Sequence, residues 1–276
     1  MKNFIKRSVA TLLVASAVAV SYMPISAIET SHATAARSKT NARAAIITAI
    51  EKLNTDLQMY VYNVTIDEVN EIFDELSKNP EFYYVYSRSY SYFPSNGIVA
   101  ALRISYAADS SEIAAADAEI DKIISEMPSD ITRDIDKALW AFEYMCTNFE
   151  YDTDHKYYYA NELLANGRGV CNAYSQLYAL ILHRLGMNVG YATSSAMNHM
   201  WNTVMIDGKW YNVDTTWAEW IPDRLSHASK AYFLRSDDEM KKLGYHDWVS
   251  DHACDTDFCG DLLENFENSG GRLCIV

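Results

Sequence analysis

Proline and glycine are scarce in this chain, which has 5 and 10 of them in 276 residues. That scarcity excludes a collagen-like repeat and leaves no Pro- or Gly-rich linker to divide the chain into clean domains. Basic side chains are also in deficit, because 23 Lys and Arg oppose 37 Asp and Glu, for a net charge of -14. Since a phosphate backbone selects a basic surface, we expect no nucleic-acid partner. Glycine-rich nucleotide-binding motifs are missing too, and no cofactor is predicted.

The residues present in quantity are apolar and aromatic, at 49% and 13% of the chain, including 20 tyrosines. This composition argues against low-complexity disorder. The length is sufficient to bury a substantial core, and it predicts one or two domains.

The N-terminus has the layout of a secretory signal peptide. Three basic residues, Lys2, Lys6 and Arg7, precede an apolar stretch over 9–20. Small residues then allow cleavage after Ala27 or Ala33, and the apolar run is short for a membrane span. We therefore expect residues 1–33 to be removed from a secreted protein without stable membrane insertion. An uncleaved anchor is the alternative.

The first half of the chain predicts helices and one β-hairpin. The expected helices cover 41–58, a segment that starts at the N-cap Thr65 and ends before Pro80, 110–127 and 131–148. Between them, strands near 84–92 and 98–106 flank a turn at 94–97. Tyr84, Tyr86, Tyr90 and Tyr92 share one face of the first strand. That face is either part of the core or an aromatic platform for a sugar or peptide.

A cysteine stands at the predicted start of an amphipathic helix. Apolar residues recur at helical spacing after Cys171, and Gly186 is placed to end the helix. The unpaired N–H groups at a helix N-terminus favour negative charge, which favours the thiolate, the nucleophilic form of cysteine. The alternative is a cysteine that only packs in the first turn.

Three strands, over 189–194, 199–206 and 209–213, are predicted next. Asp207-Gly208 is the sequence of a two-residue type I′ turn, so Ile206 should oppose Lys209. Continued along the ladder, this register places His199 and Asp214 on one face as diagonal neighbours, close enough for an imidazole–carboxylate hydrogen bond. A shift of one residue would put them on opposite faces.

A thiol, a histidine and a carboxylate that orients the histidine make up a nucleophilic triad. The imidazole takes the thiol proton and later protonates the leaving amine. Each residue alone has an ordinary structural explanation, but Cys171, His199 and Asp214 together favour catalysis.

The segments Gly169–Tyr174, Asn198–Asn202 and Trp210–Trp217 resemble the three core motifs of the transglutaminase-like superfamily, in particular its exported bacterial branch. The resemblance implies an α+β fold with a papain-like core, in which a cysteine-bearing helix packs on an antiparallel sheet, after a helix-plus-hairpin region. It also implies a Cys-His-Asp triad at Cys171, His199 and Asp214. It leaves the reaction open, because members cross-link proteins, deamidate glutamine or hydrolyse amide bonds, and some are inactive.

Further site residues are predicted with less support from the sequence. The backbone N–H of Cys171 is the natural first oxyanion donor, and Tyr151, just past a helix end, is the preferred side-chain donor over Trp140. Trp201 and Trp217 are candidates for the wall of a substrate channel, although core packing is the alternative.

Five cysteines are present, Cys146, Cys171, Cys254, Cys259 and Cys274, and an odd number leaves at least one without an intramolecular partner. A metal site made of His246, His252, Cys254 and Cys259 would lack any familiar ligand spacing, so no metal is predicted.

These expectations divide the chain into a signal peptide (1–33), a helical and hairpin region (34–128), a catalytic core (129–250) and a tail (251–276). The predicted function is exported, cysteine-dependent acyl transfer on a protein or peptide substrate, with cell-wall peptide among the options. Hydrolysis is preferred over cross-linking or deamidation. The alternative is a non-catalytic binding module at the cell surface.

Overall fold

The computed structural model describes residues 39–219 and 228–258. The predicted signal peptide, Cys259 and Cys274 lie outside the described residues. The chain forms two compact units that meet in sequence between Ile113 and Ala114. The division into a region 34–128 and a core 129–250 stays a prediction.

The first unit combines two helices with a three-stranded antiparallel sheet. Its elements are α1 (Lys39–Glu51), β1 (Asp56–Gln58), α2 (Ile66–Leu76), β2 (Val85–Tyr92) and β3 (Val99–Tyr106), and the strand order is β1-β3-β2. The helix predicted over 41–58 is wrong in its last part. Leu53 adopts a left-handed φ of 52° that ends the helical path, and Leu57 then pairs with Leu102 of β3.

Two local predictions in this unit are confirmed. The Thr65 hydroxyl accepts a hydrogen bond from the Glu68 N–H at 3.2 Å, and the Glu68 carboxylate accepts one from the Thr65 N–H at 2.8 Å, which completes a capping box. The β2–β3 hairpin is also present. Its tyrosines do not form one continuous face, because a bulge between Val85 and Ser87 leaves Tyr86 55% exposed.

The second unit contains the cysteine-bearing helix and a four-stranded antiparallel sheet. The helices predicted over 110–127 and 131–148 are present as α3 (Ser110–Ser125), which begins just before the unit boundary, and α4 (Asp134–Asn148). The remaining elements are β4 (Glu150–Tyr151), α5 (Ala160–Asn166), β5 (Arg168–Gly169), α6 (Cys171–Arg184), β6 (Val189–Ser194), β7 (His199–Ile206), β8 (Lys209–Val213), α7 (Asp237–Lys242) and β9 (Val249–Ser250). The sheet order is β8-β7-β6-β9, and β4 and β5 form a separate parallel pair.

Helix α6 lies at the centre of this unit. Every residue from Cys171 to Leu182 is buried, and the helix packs against β7, α4 and α5. Gly186, with a φ of 82°, ends it as predicted. The α+β fold, with the cysteine-bearing helix packed on an antiparallel sheet, is therefore confirmed.

The predicted register of the β7–β8 hairpin is also confirmed. Ile206 pairs with Lys209, and the ladder continues to Asn202 opposite Val213. Asp207 and Gly208 have φ values of 51° and 77°, as a type I′ turn requires. Within residues 39–219 and 228–258, no helix combines the length and apolar character needed to cross a membrane.

Candidate active site

Cys171 is the first residue of α6, and its side chain lies at the end of the helix where backbone N–H groups lack intrahelical acceptors. Gly169, two residues earlier, allows the close approach of β5 to this helix, since a Cβ atom there would lie 2.8 Å from the Ala173 Cβ. The thiol is thus held by a tightly packed junction. Only 4% of Cys171 is exposed.

His199 and Asp214 meet beside this thiol. His199 is the first residue of β7, Asp214 follows the last residue of β8, and the imidazole Nε2 lies 2.5 Å from the Asp214 Oδ2. Both residues are buried, and the side chain of Cys171 is hydrogen-bonded to His199. Because Nε2 already bonds the carboxylate, Nδ1 is the ring nitrogen left to exchange a proton with the thiol.

Electrostatics favour a charged imidazole at this position. Burial acts to lower the pKa of His199, but the charge and hydrogen bond of Asp214 and the hydrogen bond with Cys171 outweigh it and raise the pKa to about 10. Burial also acts to raise the pKa of the Asp214 carboxyl, yet His199 and other donors lower it below its ordinary value. The pair is therefore an imidazolium and a carboxylate at neutral pH.

Both oxygens of Asp214 are fully engaged. Oδ1 accepts the backbone N–H groups of Thr216 and Trp217 at 2.8 and 3.0 Å. Oδ2 accepts His199 Nε2 and the hydroxyl of Tyr245, each at 2.5 Å. Four donors on one carboxylate fix its plane, and with it the orientation of the imidazole.

The thiol, the imidazole and the carboxylate all lie within a stretch that matches a known domain. Residues 121–215 match the core of the transglutaminase-like superfamily. This segment belongs to that superfamily.

Individual relatives cover limited parts of the chain. Kyphoscoliosis peptidase of Homo sapiens is 24% identical over 135 residues, which cover 42% of this chain and 20% of the human protein. The chain thus spans about a fifth of the length of the curated relatives it matches. Among solved structures, a TGase has a TM-score of 0.36 and 16% identity, covering 48% of this chain and 44% of its own. A candidate cysteine protease from Cytophaga hutchinsonii has a TM-score of 0.32 and 14% identity, covering 47% of this chain and 61% of its own.

Tyr245 lies beyond the segment matched to the transglutaminase-like superfamily, and sequence reasoning did not find it. It follows the short helix α7, is only 2% exposed and donates its hydroxyl to Asp214. The local sequence around Gly244-Tyr245 contains no pattern that indicates this role. The contact joins residues 31 positions apart, so only the folded chain brings them together.

Tyr151, the predicted oxyanion donor, lies in β4, close enough to the Cys171 thiol to interact with it electrostatically. Burial raises the pKa of the Tyr151 phenol, and the charge of Cys171 raises it further, so the phenol stays protonated and able to donate. Its backbone N–H donates to the buried carboxylate of Glu219 at 2.9 Å, and the hydroxyl of Tyr174 on α6 donates to the same carboxylate. Glu219 thus ties β4 to the cysteine-bearing helix, another contact that the sequence analysis missed. The oxyanion role itself stays a prediction.

The two tryptophans proposed as channel walls occupy different environments. Trp201 is fully buried, donates its indole N–H to Asn212 and packs in the core with Tyr245, so it belongs to the core rather than to a wall open to substrate. Trp217 is 38% exposed and stacks on His199, with ring centroids 4.9 Å apart. Both indoles stack against the imidazole of His199, but of the two only Trp217 is also exposed to solvent. Trp140 packs against Tyr144 on the same helix.

The other candidate ligands in the described part of the chain are engaged elsewhere. The ring of His252 stacks on Trp210 with centroids 3.5 Å apart, His246 pairs with Asp247 at the surface, and the Cys254 thiol donates to the carbonyl of His252 at 4.0 Å. Among the residues described, Cys146, Cys171 and Cys254 are free and buried.

Proposed function

We propose that the protein is a cysteine-dependent acyl-transfer enzyme that acts on amide bonds of a protein or peptide. The observation that carries this proposal is the hydrogen-bonded chain from Cys171 through the imidazole of His199 to the carboxylate of Asp214. Membership of residues 121–215 in a superfamily that includes transglutaminases and cysteine proteases supports the substrate class.

In this proposal the Cys171 thiolate attacks the carbonyl carbon of the substrate amide. The resulting oxyanion is stabilised by the Cys171 backbone N–H, with Tyr151 as the second donor. The imidazolium of His199 gives its proton to the amide nitrogen as the C–N bond breaks, which releases an amine and leaves a thioester on Cys171. Neutral His199 then takes a proton from water, and the hydroxide displaces the thiolate to give a carboxylic acid.

Water is the proposed second reactant, since the described residues include no set that identifies a dedicated amine site. Capture by a lysine amine in place of water would give a cross-link instead. The proposed location is outside the cell, on the basis of the N-terminal sequence, with cell-wall peptide as one candidate substrate.

A second candidate function is a binding module that keeps the core without catalysis. It is favoured by the closure of the site, because Cys171 and His199 are each only 4% exposed and Trp217 stacks over the imidazole. A working enzyme must open this site to admit an amide.

Alkylation by iodoacetamide separates the two functions. A thiolate paired with an imidazolium should react at neutral pH, whereas burial raises the pKa of Cys146 well above its ordinary value and should keep that thiol inert. We expect Cys171 to be alkylated faster than Cys146 in the same molecule, measured by mass spectrometry of the two peptides, and His199→Ala to slow the alkylation of Cys171. Equal rates at the two cysteines in the wild-type protein would contradict the enzymatic proposal. Mass spectrometry of a Cys171 thioester formed with candidate peptides would then identify the acyl donor.

A further inference from the structure

The ring of Tyr245 is held in one orientation by aromatic neighbours. Its centroid lies 4.9 Å from that of Trp201 and 4.5 Å from that of Trp217, at interplanar angles of 75° and 48°. The backbone N–H of Tyr245 donates to the carbonyl of Met240 at the end of α7, which fixes the main chain as well. A side chain so confined points its hydroxyl in a single direction, and that direction is Asp214 Oδ2.

Asp214 Oδ2 is the oxygen that also binds His199, so the two donors share one acceptor. A hydrogen bond to a carboxylate stabilises its negative charge and weakens the hydrogen bond that the carboxylate can form with a second donor. The imidazolium must nevertheless release its proton to the leaving amine, and an undivided carboxylate would hold that proton more strongly.

We propose that Tyr245 is a positioning residue whose hydroxyl shares Asp214 Oδ2 with His199 and thereby limits how strongly the carboxylate holds the imidazolium proton. This inference rests on the proposed function, because it assigns Tyr245 a role in the same reaction. Tyr245 touches neither the thiol nor a substrate in this assignment. It acts through Asp214.

Several titratable groups from other elements face the same carboxylate, and they bear on its charge. They are His199 of β7, Tyr151 of β4, Cys146 of α4 and Tyr232 of the 3-10 turn at Lys230–Tyr232. Burial raises the pKa values of Cys146, Tyr151 and Tyr232, so these three are neutral around pH 7. Of these four groups only His199 hydrogen-bonds to Asp214, and Tyr245 is the second side-chain donor to the same carboxylate.

The pH dependence of Cys171 alkylation by iodoacetamide tests this role without a substrate. In the wild-type protein we expect the alkylation rate to rise with pH in two steps. The upper step reports loss of the His199 proton, after which the thiolate is no longer ion-paired and is more reactive. Tyr245→Phe removes the shared donor and keeps the ring. We expect the midpoint of the upper step to move in the alkaline direction, by on the order of one pH unit.

The matched control is Tyr178→Phe, which removes another buried hydroxyl from the same unit. Tyr178 lies two helical turns from Cys171 and donates to the backbone carbonyl of Ala138, so this variant should keep the wild-type midpoint. If Tyr245→Phe does not fold, 3-fluorotyrosine at position 245, a stronger donor of nearly the same size, should move the midpoint in the acid direction.

The possible failures are distinguishable. A folded Tyr245→Phe variant with the wild-type profile, or an equal shift in Tyr178→Phe, would overturn the role of Tyr245 and leave the proposed function intact. A wild-type Cys171 that reacts no faster than Cys146 would overturn the proposed function, and the role of Tyr245 with it.

Discussion

The imidazole Nε2 of His199 lies 2.5 Å from the Oδ2 of Asp214, and both side chains are almost completely excluded from solvent. Removing one partner of a buried charged pair leaves the other without compensation, which is far more costly than losing a pair at the surface. In the proposed mechanism this pair controls the reactivity of the neighbouring thiol, and its burial makes it part of the stability of the core.

Asp214→Asn should slow alkylation of Cys171 at neutral pH. The neutral amide no longer stabilises the imidazolium, so the pKa of His199 falls and with it the population of the thiolate–imidazolium pair. We expect a decrease of at least about tenfold, the effect of a change of one pKa unit.

Asp237→Asn is the matched control for this measurement. The Asp237 carboxylate accepts its hydrogen bonds from Asn212 and from the backbone N–H of Cys254 rather than from the imidazole of the candidate triad. A folded Asp237→Asn protein should alkylate at the wild-type rate. If Asp214→Asn does so as well, the carboxylate has no part in activating the thiol.

The stability of the second unit should fall as the pH rises towards 10. The pKa of His199 is raised above its unfolded value of 6.5 to about 10, so its contribution to stability is fully present below 6.5 and is lost as the pH approaches 10. The slope attributable to this group is at most about 1.4 kcal/mol per pH unit.

Urea unfolding in a Cys171→Ser background measures the part of this contribution that Asp214 supplies, because the thiol, the other cause of the raised pKa of His199, is then absent. The free energy of unfolding is compared with that of the Cys171→Ser/His199→Gln double variant at pH 6, 8 and 10. The other titrating groups are the same in both proteins, so the difference between the two should shrink with rising pH. A difference that is constant over this range would contradict the raised pKa.

Glu219→Gln should destabilise the protein by about 1–3 kcal/mol. The buried carboxylate accepts hydrogen bonds from the Tyr151 N–H and the Tyr174 hydroxyl, and a glutamine can offer only one oxygen to two donors. Urea unfolding at pH 7 measures the change.

Glu68→Gln is the control for Glu219→Gln. It replaces a partly exposed carboxylate of the capping box, a position where glutamine also serves, and should change stability by less than about 0.5 kcal/mol. Equal effects of the two substitutions would contradict the claim that the Glu219 carboxylate stabilises the protein by joining β4 to α6.

Gly169→Ala should disturb the junction that carries Cys171. The new Cβ would meet the Ala173 Cβ at 2.8 Å, and overpacking of this kind costs about 1–3 kcal/mol. We expect lower stability in urea and slower alkylation of Cys171. Because Ala173→Gly removes the atom in conflict, the double variant should recover part of the loss, as a double-mutant cycle would measure. Strictly additive effects would show that the contact is not the cause.

The local sequence was sufficient to predict the cysteine-bearing helix and the β7–β8 hairpin. A type I′ turn at Asp207-Gly208 sets the register, and the two-residue period of a strand then determines which side chains share a face. His199 and Asp214 lie on one face for this reason. The end of α1 was predicted wrongly, because Asp56–Gln58 pairs with a strand more than forty positions away, and a helical pattern contains no information about such a partner.

The sequence by itself determined the three residue types of the candidate triad, the strand face that His199 and Asp214 share, and the α+β core that carries them. Only the tertiary structure decided which groups surround them. Tyr245 reaches Asp214 over 31 positions and Glu219 reaches Tyr174 over 45, whereas Trp201 turns inward and Trp217 outward. Turns and strand alternation act between near neighbours in the chain, but burial and the sharing of a carboxylate depend on segments that meet only when the chain is folded.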